Sequence, residues 1–488
     1  MSPGHTCRSA LGGRLAGRFP LAVVRLVLVV LCATGLACEE STPSPRPSIA
    51  LVVIDTLRAD AVSAYGAREE TTPNFDALAA AGRLYTRAYA PSPWTLPSHA
   101  SLLTGVGVEQ HGVGLHGQVV LGEGALTLAE RLQAAGYETA GFSENALVSP
   151  AFGFGQGFDH FSVRSADEQF AANQSLVIDV RDELARWLDA VDPQDPFFVF
   201  VNLYDPHEPY RVRRENPFLP ASATTAQGKQ AGAGQRTSHR ICDRVPNSPQ
   251  LELLRGLYLG EVAVADQKLG SLLDLLRARA AGGLITVVTS DHGEHFGEHR
   301  LLDHEFSVRE QVLHVPLVVS GAGLGAATID TPVELRDITA SLLRWAGADT
   351  SSVEGAALPD AGTTAAGESL VALYSDTRLR LPARFDRSAS EESRHAKRAG
   401  CTEGDRVFGD MVAVTRYPYK LNWYERYPSE LFDLRAGTAE QVEQPEVFRA
   451  LEAQAQEFVE RAGLGGERAG EPLSPETEAA LRQLGYLD

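Results

Sequence analysis

The sequence predicts an α/β fold built on a large, mostly parallel mixed sheet with helices on both faces. Strand-like apolar runs alternate along the chain with segments whose apolar residues recur at helical spacing, which is typical of such a fold. The composition, with 44% hydrophobic and 22% charged residues, is that of an ordinary globular protein. Because 488 residues exceed what one core usually fills, we expect a main domain followed by a smaller C-terminal one.

The predicted strands and helices alternate through most of the chain. The expected strands of the main sheet are apolar runs rich in β-branched residues, at 48–54, 137–142, 196–203, 283–290 and 315–320. Between them, the apolar spacing predicts helices at 125–135, 175–191 and 253–281. Towards the C-terminus, MVAVTRYPYKLNWYE and SELFDL predict a few antiparallel strands, followed by helices at 445–462 and 475–485.

Two stretches of low hydrophobicity divide this pattern. The Gly- and Ala-rich stretch 211–250 has no periodicity, and we interpret it either as a mobile loop beside a site or as a surface insertion. The stretch 349–400 is expected to be a connector. The expected domains are therefore a main domain at 48–348 and a C-terminal subdomain at 401–488.

The first 38 residues predict a targeting segment. Arg8, Arg14 and Arg18 precede the apolar run 26–37, which is short for a membrane span. The segment ends in GLAC and resembles a bacterial lipoprotein signal, in which Cys38 is acylated, while the Pro- and Ser-rich residues 39–47 form a tether. An uncleaved signal anchor is the alternative. Either reading predicts an extracytoplasmic protein of the cell envelope, held at the membrane and periplasmic or surface-exposed.

Cysteine usage and charge limit the partners. Cys242 and Cys401 are the remaining cysteines of the expected mature domain, and they can pair in an oxidising compartment or stay as buried thiols. The net charge of −19 repels nucleic acid, so we expect no DNA or RNA partner. An anionic ester would also be repelled at long range. It would have to be captured locally by a metal, an arginine or a histidine.

A set of reactive side chains follows the predicted strands. Asp55 ends the first apolar run, and Asp291 and His292 end the run at 283–290. Because the carboxyl ends of parallel strands share one edge of a sheet, we expect these three residues to lie together. Thr95, in PSPWTLPSHASLLTG, is expected in the first turn of a helix. Together the four residues predict a metal-activated hydroxyl nucleophile.

A series of motifs runs from about Ser48 to the last residue, in the order IDTLRAD, TTPNFDALAAAG, PSPWTLPSHASLLTG, QHGV, SDHGEHFGEH, HVPLVV, ELFDL and LRQLGYLD. In this order the motifs resemble the sulfatase family of the alkaline phosphatase superfamily. The resemblance implies an alkaline-phosphatase-like sheet sandwiched by helices, a small C-terminal antiparallel sheet with helices, and a divalent metal at the carboxyl edge of the main sheet.

The resemblance also implies roles for individual residues. Asp55 and Asp291 match family metal ligands, and His292 stands where sulfatases often have Asn. The metal is left open as Ca²⁺, Mn²⁺ or Zn²⁺, although the imidazole favours Mn²⁺ or Zn²⁺. His207 and His304 match positions that contact the ester oxygens, and either histidine can donate a proton to the leaving group.

Weaker candidates complete the expected site. Arg58 and Asn145 are candidate ligands of the ester oxygens, and His99 replaces the family arginine beside the nucleophile. As an alternative role, His207 and His304 could hold a second metal together with Asp205.

The nucleophile position departs from the sulfatase pattern. Sulfatases carry CxPSR or SxPSR, whose Cys or Ser is oxidised to formylglycine, whereas this chain has threonine in TLPSH. Threonine cannot become that aldehyde. It resembles the nucleophile of nucleotide pyrophosphatases and of phosphoethanolamine or glycerophosphate transferases in the same superfamily. The lysine-bearing GKWH motif of sulfatases is also absent, with SENALVSP at 143–150 in its place.

These observations predict a metal-dependent enzyme that acts on phosphate or sulfate esters of a small molecule, glycan or lipid. Thr95 and His292 favour phosphoryl chemistry, and the family likeness favours sulfate. A transferase and a non-catalytic envelope binding protein are the alternatives. The HxxEH pattern of His295 to His299 is also found in zinc proteases, but Gly297 argues against the stable helix that such a site needs.

Overall fold

The computed structural model describes residues 46–164, 180–211, 216–220, 247–304, 306–321, 323–363, 369–375, 401–436 and 439–465, with 223, 227, 242, 475 and 477. The predicted signal segment with Cys38, most of the tether, most of 211–250 and most of the predicted helix 475–485 lie outside the described residues. The described residues belong to one compact unit, Pro45–Asp488. None of the described helices is both long enough and apolar enough to cross a bilayer.

The described strands and helices are numbered here in chain order. The strands are β1 (Ser48–Ile54), β2 (Arg83–Tyr85), β3 (Ala88–Tyr89), β4 (Glu138–Ser143), β5 (His160–Val163), β6 (Phe197–Leu203), β7 (Leu284–Thr289), β8 (His295–Phe296), β9 (Leu302–Asp303), β10 (His314–Val315), β11 (Leu317–Gly321), β12 (Ala327–Ile329), β13 (Val333–Glu334), β14 (Leu370–Tyr374), β15 (Met411–Arg416), β16 (Tyr419–Tyr424), β17 (Glu430–Asp433) and β18 (Glu440–Gln441). The helices are α1 (Pro73–Ala81), α2 (Thr95–Thr104), α3 (Val108–His111), α4 (Leu128–Ala134), α5 (Arg181–Ala190), α6 (Ser248–Arg279), α7 (Glu310–Leu313), α8 (Arg336–Ala346) and α9 (Pro445–Ala462).

The main sheet confirms the predicted fold class. Its eight strands have the order β12-β2-β11-β7-β1-β6-β4-β5. Strands β5, β4, β6, β1 and β7 are mutually parallel, and β11 runs antiparallel to β7. All five strands expected in the main sheet are present, with ends that differ by at most two residues. The long carboxyl edge formed by these parallel strands is where the predicted site residues lie.

The strand β1 shows why the sheet lies between two layers of helices. All seven of its residues are buried, as in a parallel strand that is covered on both faces. Side chains alternate across the sheet, so Ile49, Leu51 and Val53 pack into a core with α2, α4 and α8. Ala50 and the other alternate residues pack into a second core with α1, α5 and α6.

The C-terminal sheet confirms the predicted antiparallel subdomain. Its order is β14-β15-β16-β17-β18, and every pair is antiparallel. Leu451, Ala455 and Phe458 of α9 pack against this sheet, and α9 has the predicted bounds. Strand β14 lies inside the stretch 349–400, which the sequence predicts only as a connector. Its five residues are too few to show a clear period amid the surrounding polar sequence.

The two remaining cysteines form a disulfide. Cys242 and Cys401 are bonded, with their Cα atoms 4.7 Å apart, although 159 positions separate them in sequence. The side chain of Arg300 lies beside this link, because it donates to the backbone oxygen of Cys242 and to the carboxylate of Asp405. The disulfide therefore fastens the segment before α6 to the beginning of the C-terminal subdomain.

The core packing generates a stability prediction. Leu51 is fully buried between the sheet and its helices, so we expect Leu51→Ala to lower the free energy of unfolding by about 2–5 kcal/mol. Leu126 is 51% exposed, and Leu126→Ala should change this free energy by about 0.5 kcal/mol or less. Urea denaturation monitored by circular dichroism measures both values. Equal losses for the two variants would contradict the described core.

Candidate active site

The predicted metal ligands and nucleophile meet at one edge of the main sheet. Asp55 directly follows β1, and Asp291 and His292 lie just beyond the end of β7, which is parallel to β1. Thr95 is the first residue of α2. All four residues are buried, with at most 2% of any of them exposed. The structure thus brings together residues from three distant parts of the chain.

The imidazole of His292 contacts each of the other three side chains. Its Nε2 lies 3.5 Å from Oγ1 of Thr95, 3.3 Å from Oδ2 of Asp291 and 3.9 Å from Oδ1 of Asp55. Nδ1 of the same ring lies 3.0 Å from the backbone oxygen of Gly293, so we assign the ring proton to Nδ1. The lone pair of Nε2 therefore faces the nucleophile and the two carboxylates.

Each aspartate uses one oxygen to bind the protein and turns the other towards this cluster. Oδ2 of Asp55 accepts from the Asn145 amide at 2.7 Å, and Oδ1 of Asp291 accepts from the backbone N–H groups of Thr56 at 3.2 Å and His292 at 3.0 Å. The inward oxygens, Oδ1 of Asp55 and Oδ2 of Asp291, are buried and accept no hydrogen bond from any described residue. Two such oxygens and an imidazole nitrogen fit a divalent cation.

Without a bound cation, the protein environment opposes ionisation of Asp55, Asp291 and His292. Burial raises the pKa of Asp55, and the nearby Asp291 raises it further. Burial likewise raises the pKa of Asp291 and lowers the pKa of His292 well below its ordinary value. Each group therefore favours its neutral form. A cation held between them would reverse this preference for the two carboxyl groups.

The turn after β1 is fixed by α6. Thr56 adopts a left-handed conformation with φ of 55°, which is uncommon for a β-branched residue and directs its backbone N–H to Asp291. The hydroxyl of Tyr258 in α6 donates to the backbone oxygen of Thr56 at 2.9 Å and accepts from the N–H of Arg58 at 2.9 Å. Helix α6 thus holds the turn that presents Asp55.

His99 lies beneath the nucleophile and does not fit its predicted role as a substrate ligand. Its Nδ1 donates to the backbone oxygen of Thr95 at 3.0 Å, and its Nε2 accepts from the amide of Asn202 at 3.2 Å. The ring is fully buried and makes edge contacts with Phe154 and Phe200. Because both nitrogens are engaged within the protein, His99 fastens the first turn of α2 to the sheet.

Arg58 also differs from its predicted role as an ester ligand. Its guanidinium donates to the carboxylate of Asp60 at 2.6 and 2.8 Å, to Glu298 at 2.8 Å and to the backbone oxygen of Glu294 at 2.8 Å. The residue is only 5% exposed. These contacts use the donors of Arg58 to join the turn after β1 to the segment that follows His292.

Asn145 is hydrogen-bonded to Asp55, a predicted metal ligand. Its amide nitrogen donates to Asp55, and its Oδ1 accepts from the backbone N–H of Leu147 at 2.9 Å. These two bonds fix the orientation of the amide. Asn145 therefore positions the carboxylate of Asp55, a role that differs from the predicted direct contact with the ester.

His207 and His304, the predicted ester contacts, lie next to the cluster of Asp55, Thr95, Asp291 and His292. The ring of His304 stacks on His292 with centroids 4.3 Å apart, and the ring of His207 lies 5.1 Å from that of His304. Nδ1 of His207 donates to the backbone oxygen of Glu208 at 2.7 Å, and the ring stacks on Tyr204. The remaining nitrogen of the half-buried His207 ring is Nε2, which is the atom left to meet an ester.

Asp205 does not join these histidines, so the predicted second metal site formed by Asp205, His207 and His304 does not match the structure. The carboxylate of Asp205 lies 2.5 Å from Nζ of Lys268, which is also bonded to both oxygens of Glu144 at 2.9 and 3.0 Å. Burial raises the pKa of Glu144 against the opposing effect of Lys268. This buried triad joins α6 to the loops that follow β4 and β6.

The zinc-protease alternative does not fit the structure. His295 and Phe296 form β8, and the following residues make a short 3-10 turn in which His299 has a left-handed φ of 54°. A protease of the HxxEH type needs both histidines on one face of a stable helix. Here the two histidines lie on a strand and a turn.

The sequence model of the sulfatase family matches residues 47–348. This chain belongs to the sulfatase family. Its match to the family spans the whole main sheet and the four clustered residues. The family membership and the relatives described next identify the chain as a sulfatase-like hydrolase of ester bonds.

Relatives and solved structures of the sulfatase family agree with this assignment. The uncharacterized sulfatase YidJ of Escherichia coli is 25% identical over 62% of this chain and 68% of its own length. An N-acetylglucosamine-6-O-sulfatase of Bacteroides thetaiotaomicron is 23% identical over 68% of this chain and 74% of its own. The fold resembles that of the phosphonate monoester hydrolase of Agrobacterium radiobacter, with a TM-score of 0.62, 19% identity, and coverage of 86% and 96% of the two chains.

Sequence reasoning missed several residues of this sulfatase-family site. Lys268 and Tyr258 lie within a helix of 32 residues, where a lysine or tyrosine looks like any surface or core position. For Glu294 and Asp303, the sequence offers a signal in their position beside predicted site residues. Glu294 follows Asp291 by three positions in the same loop, and Asp303 directly precedes His304. An acidic residue this close to a predicted functional residue is itself a candidate site residue.

The pKa shifts predict how cation binding depends on pH. A carboxylate must lose its proton to hold a cation, and burial raises the pKa of both Asp55 and Asp291. Protons therefore compete at a higher pH than at exposed carboxylates, and Mn²⁺ affinity should fall as the pH drops from about 8 to about 5. Calorimetric titration measures the affinity. An affinity that stays constant over this range, while circular dichroism shows an intact fold, would contradict the prediction.

Proposed function

We propose that this sulfatase-family protein hydrolyses phosphate esters with Thr95 as the nucleophile. The observation that carries the proposal is the position of Oγ1 of Thr95, 3.5 Å from Nε2 of His292, a nitrogen that also lies 3.3 Å from Oδ2 of Asp291 and 3.9 Å from Oδ1 of Asp55. A threonine hydroxyl held in this way can serve as a nucleophile, whereas it cannot provide the aldehyde of formylglycine sulfatases. Family membership supports the reaction class, and the residues favour phosphorus over sulfur.

The residues that would hold the cation are Asp55, Asp291, His292 and Thr95. When bound there, a divalent cation lowers the pKa of a hydroxyl and stabilises negative charge on the ester oxygens. The donor set of two carboxylates, an imidazole and a hydroxyl favours Mn²⁺ or Zn²⁺ over Ca²⁺. Asn145 and the N–H of Thr56 keep the outer oxygens of the aspartates occupied, so the inward oxygens keep their orientation.

The proposed reaction proceeds in two steps. Oγ1 of Thr95 gives its proton to solvent and attacks phosphorus, the bond from phosphorus to the leaving oxygen breaks as that oxygen takes a proton from a histidine, and the threonine becomes phosphorylated. A water molecule then attacks the same phosphorus and gives a proton to the histidine, the bond to Oγ1 breaks, Oγ1 takes a proton from solvent, and phosphate leaves. Thr95 begins α2, so the positive end of the helix dipole lies at the reacting group. His207 and His304 are placed to donate a proton to the leaving oxygen.

Sulfate ester hydrolysis is the second candidate function. It is favoured by the family match and by relatives such as the N-acetylglucosamine-6-O-sulfatase. By that analogy the ester would be carried by a glycan, although a small molecule or a lipid fits the same chemistry. A transferase would differ only in the second step, where an acceptor alcohol replaces water. The complete cluster of Asp55, Thr95, Asp291 and His292 argues against the non-catalytic alternative.

A direct test compares ester classes and nucleophile variants. The purified protein is assayed with aryl phosphate monoesters, aryl phosphate diesters and aryl sulfate in the presence of Mn²⁺, Zn²⁺ or Ca²⁺. We expect phosphate ester turnover that Thr95→Ala lowers about 10³-fold or more, because the attacking oxygen is lost. Thr95→Ser is the matched control, since it keeps a hydroxyl at the same position.

Mass spectrometry of the peptide that contains Thr95, after brief incubation with substrate, should show a phosphorylated threonine. Turnover of sulfate alone that survives Thr95→Ala would contradict the proposal. Formation of a phosphorylated threonine that is discharged only by an added alcohol would assign the transferase reaction.

We also propose that the protein is anchored to the envelope through Cys38, which lies outside the described residues. The lipoprotein-like segment supports this placement. We expect the full-length chain to fractionate with membranes, and Cys38→Ala to release the folded protein into the soluble extracytoplasmic fraction. Persistence of Cys38→Ala in the membrane fraction would favour the uncleaved signal anchor.

A further inference from the structure

Three side chains that are not ligands in the cluster of Asp55, Thr95, Asp291 and His292 meet next to that cluster. Glu294, Asp303 and His304 each offer one ligand atom, and these atoms lie within 4.8 Å of one another. Nδ1 of His304 is 3.0 Å from Oδ1 of Asp303 and 3.6 Å from Oε2 of Glu294. All three residues belong to the segment that follows His292. The ring of His304 also stacks on His292, with ring centroids 4.3 Å apart, so the grouping adjoins the first cluster.

The buried carboxylate of Glu294, which lacks hydrogen-bond donors, points to a bound ligand. The residue is 1% exposed, and neither of its carboxylate oxygens accepts a hydrogen bond from any described residue. A buried carboxylate without donors is unfavourable unless it is paired with a positive charge. Its neighbours in this grouping are the ring of His304 and the carboxylate of Asp303, whose Oδ1 also accepts from the backbone N–H of His304 at 2.8 Å.

We propose that Glu294, Asp303 and His304 form a second divalent-cation site beside the first. A divalent cation would place positive charge against the two carboxylate oxygens of Glu294, to which no described residue donates. Two carboxylate oxygens and one imidazole nitrogen are a donor set that suits Zn²⁺ or Mn²⁺. Three protein ligands leave coordination positions open to water or to an ester oxygen.

This inference deepens the proposed function, because it adds positive charge where an anionic ester would bind. Because the chain has a net charge of −19, it repels an anionic ester at long range, and a bound cation would attract the ester locally. Coordination through Nδ1 would also place the ring proton of His304 on Nε2. That nitrogen can then donate to an ester oxygen. The site itself is measurable without any ester, so it can be tested apart from the reaction.

The experiment counts bound metal in the full-length protein. The purified protein is stripped with a chelator, reloaded with Mn²⁺, freed of excess ion and analysed by plasma mass spectrometry. We expect two equivalents in the wild type, one in Glu294→Gln and one in Asp291→Asn. Glu298→Gln is the matched control. This variant removes the Glu298 carboxylate, which lies in the same segment and is paired with Arg58, and it should still bind two equivalents of Mn²⁺.

Electron paramagnetic resonance provides a second readout. Two neighbouring Mn²⁺ ions should give a broadened, spin-coupled signal in the wild type, and each of the two single-site variants should give the sharp signal of an isolated ion. Asp303→Asn removes another ligand of the same site and should reproduce the result of Glu294→Gln. It replaces that variant if Glu294→Gln does not fold.

The outcomes separate this inference from the proposed function. One equivalent in the wild type that Asp291→Asn removes, and that Glu294→Gln and Asp303→Asn leave unchanged, would overturn the second site and assign a protonated His304 between the carboxylates. The proposed function would remain intact in that case. An absence of bound metal in the wild type would overturn both sites, and the Thr95 peptide would then be expected to stay unmodified.

Discussion

The site depends on two buried carboxyl groups, those of Asp55 and Asp291, whose ionisation the protein itself opposes. Asp55 and Asp291 each direct one buried oxygen towards His292, and no described residue donates to either oxygen. Such an arrangement is unfavourable in the absence of a cation, because desolvation and mutual repulsion both oppose ionisation. The surrounding protein supplies the opposing constraint. It holds the outer oxygens through hydrogen bonds from Asn145 and from the backbone N–H groups of Thr56 and His292, which favour the inward orientation of the other two oxygens.

Most of the polar residues around the cluster serve this constraint rather than the ester. Asn145 and the N–H of Thr56 hold the aspartates, His99 holds the first turn of α2, and Arg58 joins the two loops that carry the ligands. A binding role had been expected for three of these side chains. Their contacts instead orient the residues that would hold a cation. In the proposed reaction, the side chains left for an ester are His304, which stacks on His292, and the neighbouring His207.

Sequence reasoning located the cluster but not its supports. Asp55, Asp291 and His292 were predictable because each follows an apolar run, and the ends of parallel strands share an edge. The partners of Arg58 and His99 were not, because the direction of a side-chain donor depends on distant residues such as Glu298 and Asn202. Strand β14 was missed because five residues carry too little pattern. Of the fold, the positions of the main strands and their mostly parallel direction could be anticipated, whereas their order in the sheet and the pairing of the edge strands required tertiary contacts.

The buried triad of Lys268, Glu144 and Asp205 constrains how this protein can diverge. One ammonium group faces two carboxylates, all at least 94% buried, and the three residues come from a helix and two separate loops. Loss of Lys268 alone would remove the ammonium group that both carboxylates contact, and loss of one carboxylate would change the charge balance of the triad. Substitutions at these positions are therefore epistatic, because a change at one of them alters the cost of a change at the others.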